Sequence, residues 1–143
     1  MKAKYLKVLG LAGSLFVAAC ATGPSGYDVY RITEDDLLIL QTARSLLGEE
    51  DQWAHHEETQ CDLGAVAWTL FCALQKASYD VLGEFQLRRP ALEEVRVVVE
   101  QLAGQTFEKR LIDFNNRPET SFEDIQKALD IALGRIKARL PAS

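Results

Sequence analysis

Between Asp62 and Leu82 the chain runs DLGAVAWTLFCALQKASYDVL. At 3.6 residues per turn, Ala65, Val66, Trp68, Leu70, Phe71, Cys72, Leu74, Tyr79 and Leu82 point in nearly every direction, and only Thr69, Lys76 and Asp80 line up as a polar stripe. A helix apolar on most sides belongs in the middle of its domain. The expected fold class is therefore all-α, a compact bundle of four to five helices around this buried helix.

The flanking sequence supplies the surrounding helices. Thr33 precedes Glu34, Asp35 and Asp36, so an N-cap is followed by three acids at the positive end of a helix dipole. That helix should reach about Leu47, with Leu37, Leu40, Ala43 and Leu47 inward and Gly48 as a left-handed C-cap. Pro90 suits the first turn of another helix through Ala103, whose stripe is Leu92, Val95, Val98, Val99 and Leu102. Glu93, Glu94, Arg96 and Glu100 face water in this phase, and Val97 lies on the same solvent side.

Gly104 ends that helix, and Thr106 can cap a shorter one through Phe114. The chain then turns at Asn115-Asn116-Arg117-Pro118. Thr120-x-x-Glu123 reads as a capping box for the last helix, with Ser121 an alternative cap. Ile125, Leu129, Ala132, Ile136 and Leu140 form its apolar stripe, and Pro141 stops it.

The first twenty residues are different in kind. Lys2, Lys4 and Lys7 precede the apolar run Val8 to Ala19, which is shorter than a membrane span requires. Val17-Ala18-Ala19-Cys20 resembles the bacterial lipobox, in which the cysteine is acylated and becomes the first mature residue. The resemblance implies three parts: a lipoprotein signal peptide at 1–19, a lipid-anchored linker at 20–32 and a helical domain at 33–143. The linker, rich in Gly, Pro and Ser, holds Tyr27, Val29 and Tyr30, which could also lie extended on the domain. In Gram-negative bacteria an aspartate after the acylated cysteine commonly retains a lipoprotein in the inner membrane. Ala21 stands there and favours the outer membrane, facing the periplasm.

Charge and cysteines narrow the function. Loss of the three signal lysines leaves 13 of the 16 cations against 21 acids, a net charge of about −8. Such a surface repels phosphate backbones and anionic headgroups, which excludes a nucleic-acid partner and leaves the acyl chains to contact the membrane. With Cys20 acylated, Cys61 and Cys72 remain. Eleven residues of helical rise would hold them roughly 16 Å apart, beyond the roughly 4.4–6.8 Å that a disulfide spans, so no internal disulfide is expected. Cys72 then reads as a small buried hydrophobe and Cys61 as an exposed thiol.

Glu49 to Cys61, EEDQWAHHEETQC, is the connection with metal-ligand chemistry. His55, His56, Glu58 and Cys61 are its candidate ligands. Adjacent histidines do not easily reach one ion, and neither an i, i+4 pair nor C-x-x-C accompanies them, so the expectation is an acidic loop with Trp53 against the core and no metal or cofactor. An envelope hydrolase with His55 or His56 as base lacks a nucleophile elbow, H-E-x-x-H or S-x-x-K partner motif.

Two short motifs resemble those of a small bacterial family known as an uncharacterised helical domain. One reads roughly W-C-x-x-G-A-L. Trp68, Ala73 and Leu74 match it, whereas Thr69 and Cys72 depart from it. The other reads roughly [WF]-N-D-x-x-x-T. Phe114, Asn115 and Thr120 match it, with Asn116 replacing the carboxylate. The resemblance implies a compact all-α domain without an assigned activity, and it makes Asn115, Asn116 and Thr120 a candidate functional turn. Asn116 cannot act as a general base, which argues against an enzyme. The sequence thus points to a lipid-anchored envelope protein with a helical protein-interaction module and an envelope protein partner. A small-ligand or metal-binding lipoprotein is the alternative.

Overall fold

A computed structural model of the chain describes residues 31–56 and 60–142. The signal peptide, Cys20, most of the linker and Glu58 lie outside the described residues. Among the described residues five α-helices follow one another: α1 Glu34–Leu46, α2 Leu70–Leu82, α3 Pro90–Ala103, α4 Arg110–Asn116 and α5 Phe122–Arg139, with a 3-10 turn at Glu50–Gln52. The expected all-α bundle is the architecture. Helix α1 lies against α2, α3 and α5, α3 also packs on α4 and α5, and α4 touches α2.

One continuous core joins Ile39, Leu40, Ala43 and Leu47 to Leu70, Ala73, Leu74 and Ala77 of α2, to Leu92, Val95, Val98 and Val99 of α3, and to Ile125, Leu129, Ala132 and Ile136 of α5. Each set recurs at three- and four-residue steps, so every helix turns one stripe inward. Pro90 occupies the first turn of α3, where its missing N–H costs nothing, and Gly83 and Gly104 end α2 and α3 at φ 75° and 67°. An alanine at either glycine would be strained by its backbone angle alone.

The Asp62–Leu82 stretch is helical only in its second part. Thr69 stands in extended geometry, and its hydroxyl accepts from Cys72 N at 3.2 Å, which makes it the N-cap and starts α2 at Leu70. Before it, Asp62 Oδ1 accepts from Gly64 N at 2.9 Å and Asp62 O from Ala65 N at 3.1 Å, folding the chain into a turn. Val66, read as inward, is 87% exposed, and Tyr79 also reaches solvent.

This early turn overturns the cysteine expectation. Cys61 and Cys72 form a disulfide with their Cα atoms 5.3 Å apart. The separation of roughly 16 Å assumed continuous helix, whereas the loop from 62 to 69 doubles back and returns Cys61 to the first turn of α2.

Other local expectations shift for similar reasons. Gly48 is not left-handed, because Leu47 closes α1 with φ −106°. Thr106 caps nothing, since α4 begins at Arg110. Ser121, not Thr120, caps α5: its hydroxyl accepts from Asp124 N at 3.2 Å, and the Asp124 carboxylate accepts from Ser121 N at 2.9 Å. Glu94, assigned to the solvent face, is buried on α3 and receives Arg135 Nη1 at 3.2 Å and Arg139 Nη2 from α5.

Asp36 carries a buried polar junction between helices. Its side chain is fully buried. It accepts from Thr33 N at 2.8 Å, from Arg89 Nε at 3.0 Å and from Ala91 N at 3.1 Å. The start of α1 is thereby fixed to the start of α3, and the carboxylate satisfies backbone donors at both helix N-termini.

Candidate functional site

The candidate residues near the 53–56 segment and the turn after α4 do meet, and Asn115 is the reason. Its side chain is fully buried at the end of α4. Oδ1 accepts from Trp53 Nε1 at 2.8 Å and from Leu70 N at 2.9 Å, and Nδ2 donates to Ala54 O and to Asn116 Oδ1, each at 3.0 Å. One amide therefore supplies an acceptor to the first N–H of α2, anchors the indole and holds the 53–54 backbone. That backbone also pairs with Trp68 through Ala54 N to Trp68 O at 2.9 Å and Trp68 N to Gln52 O at 2.7 Å.

Such a saturated amide positions structure and leaves no lone pair for a ligand. Asn115→Ala should strand the Leu70 N–H and the Trp53 indole, lowering stability by about 2 kcal/mol. Urea denaturation of the variant measures this, and a midpoint equal to that of the parent chain would refute the assignment.

His55 stacks on Trp53 with ring centroids 4.9 Å apart, and Phe122 approaches the same indole at 6.2 Å. The His55 Nε2 lies 3.0 Å from Arg117 O. A carbonyl accepts only, so Nε2 carries the proton and donates, and a neutral ring keeps Nδ1 as its acceptor. Thr120, of the same turn, donates its N–H to Arg117 O at 3.1 Å, while its buried hydroxyl finds no partner among the described residues. His56 is exposed. Cys61 is bonded to Cys72 and offers no thiolate. Among the described residues, no three His, Cys, Asp or Glu side chains converge as a metal set.

A second feature was not singled out from the sequence. Beside α1 and the disulfide-closed loop runs an open groove of about 410 Å³, bordered by Thr42, Leu46, Gln52, Leu63, Val66 and Trp68. Lys76 also lines it and is paired with Asp80 one turn along α2. The surplus of apolar residues in Asp62–Val66 was its one sequence signal, and that surplus reads equally as helix interior.

Between α3 and α4, Glu93 and Glu100 pair with Arg96 and Arg110. Burial pulls the Arg96 guanidinium below its ordinary pKa, and the neighbouring Glu93 opposes that shift. Glu93 and Glu100 thus offset Arg96 and Arg110 within the cluster, and Arg88 adds a further cation beside it.

A family of unknown function, DUF6197, matches residues 32–135. The chain belongs to this family. The match extends from the residue before the α1 cap into α5, so the DUF6197 domain includes the Asp36 junction, the Asn115 hub and the groove. It agrees with the uncharacterised helical domain suggested by the two motifs and brings no activity with it. No curated protein and no solved structure matches the chain.

Proposed function

We propose that this DUF6197 member is a lipid-anchored protein of the cell envelope whose helical domain serves as a protein-interaction module. The observation that carries the reading is the cysteine arrangement. Of three cysteines, Cys61 and Cys72 pair with each other, and Cys20 stands at the end of the lipobox. Structural disulfides persist in oxidising compartments, which is where an exported lipoprotein resides. The motif and the bridge are independent features, and both favour the same side of the inner membrane.

Acylation at Cys20 would supply more than the roughly two chains that stable anchoring needs. The linker would then let the domain reach away from the bilayer, with Ala21 favouring the outer membrane of a Gram-negative cell and a position facing the periplasm. An interaction role is supported by two features. Asn115 of the candidate turn is occupied in holding the fold, and apolar side chains are exposed around an open groove.

Replacing Cys20 by Ser is expected to move the protein from the membrane pellet to the soluble fraction. Mass spectrometry of the parent protein should find an acylated Cys20 as its first residue. An unprocessed Met1 terminus without lipid would overturn the reading.

A further inference from the structure

We infer that the groove between α1 and the Cys61–Cys72 loop takes an extended cationic segment of an envelope protein, seating a small apolar side chain among Leu46, Leu63 and Val66. This deepens the interaction-module reading and rests on it. Three observations carry it. Val66 is 87% exposed and Leu63 41% exposed, and both sit on a loop that the disulfide closes covalently, so their exposure is held by the fold. The groove is open and lined by aliphatic Leu46, Leu63 and Val66 beside polar Thr42 and Gln52, which suits a chain in extended form better than a compact ligand.

The third observation is charge. Glu50 and Asp51 immediately precede the groove residue Gln52, and Asp62 immediately precedes Leu63; all three acids are exposed. None of the three pairs with a cation among the described residues, and the one lysine of the groove is already matched by Asp80. Asp62 Oδ1 accepts from N of the groove residue Gly64 at 2.9 Å, so an acid stands at the edge of the groove, with Glu50 and Asp51 beside Gln52 in the chain, an arrangement complementary to Lys or Arg on either side of a small apolar residue. A second copy of this chain would bring acids against acids, and an anionic lipid surface would be repelled in the same way.

The test uses the full-length protein with the photo-crosslinker benzoylphenylalanine at position 66, at position 63 or, as a control, at the exposed Val97 on α3. Irradiation in intact cells should join positions 66 and 63, but not 97, to a peptide of another protein that carries Lys or Arg within a few residues of the joined one. In parallel, the purified full-length protein should bind a fluorescent Lys-Lys-Val-Ala-Val-Lys-Lys peptide about tenfold more tightly than its Glu counterpart. Val66→Asp, at a position too exposed to threaten folding, should weaken binding of the cationic peptide by about tenfold.

Equal binding of the two peptides, adducts between two copies, adducts to lipid or to residues 21–30 of the same chain, or no adduct at positions 66 and 63 would each overturn the inference. Adducts to other proteins at position 97 alone would overturn the groove and leave the interaction module standing. Absence of adducts at all three positions would count against both.

Discussion

Replacing Asp36 by Ala is expected to lower the unfolding free energy by about 4 kcal/mol, a large share of the roughly 5–15 kcal/mol that holds such a domain together. The loss has two sources. Arg89, whose side chain is only 12% exposed, would lose its hydrogen-bonded carboxylate and keep only the longer, more exposed contact with Asp35 at 3.8 Å. The N–H groups of Thr33 and Ala91 would lose the oxygens that satisfy them at the starts of α1 and α3.

A double variant, Asp36→Leu with Arg89→Met, should recover part of the loss, because it removes the poorly paired cation but not the unsatisfied backbone donors. Glu34→Ala, in the same first turn but exposed, should change stability by less than about 0.5 kcal/mol. Urea midpoints of the four proteins decide the matter, and a D36A midpoint close to that of E34A would sink the junction as a stabilising feature.

Opening the disulfide is the second large effect. In the chain-entropy account, closing a loop of eleven residues stabilises by about 3 kcal/mol, so Cys61→Ser combined with Cys72→Ala should destabilise by about that amount. The change should be visible without mutation, as a lower denaturation midpoint for the parent chain in reductant. The loosened region should be specific. Residues 62–68 border the groove and end at Trp68, whose backbone pairs with residues 52 and 54, so amide exchange should quicken there before it does in α3 or α5. Identical midpoints with and without reductant would contradict this account.

The sequence carries the outer helices in local signals. Pro90 and Gly104 bracket α3, and the Ile125-to-Ile136 spacing identifies α5, because caps and periodicity act within a few residues. The start of α2 is harder to read. Asp62 to Trp68 is as apolar as the helix that follows, and apolar composition does not separate a buried helix from a folded-back loop. The Thr69 cap and the Asp62-x-Gly64 turn were the signals that could have done so.

Errors in the cysteine expectation and the groove both descend from that one boundary. Asp36 and Glu94 illustrate a different limit. Their burial depends on Arg89, Arg135 and Arg139, which lie 41 to 53 residues away, and no window along the chain reports such a meeting. The candidate turn was legible as a place, through Asn115 and Thr120, but its role as a support for α2 emerges only when Leu70 N is found against Asn115.

The pairing of Cys61 with Cys72 also bears on biogenesis. Under the acylation proposed for Cys20, Cys61 and Cys72 would be the two thiols left and would permit a single intramolecular bridge, so a chain exported in that way would need an oxidant but no isomerase to correct mispairing. The two thiols are close neighbours in the chain and precede α3, α4 and α5, so on the proposed export route they would emerge first. Oxidation could therefore set the loop while the remainder of the core is still in transit, giving the later helices a preformed edge to assemble against.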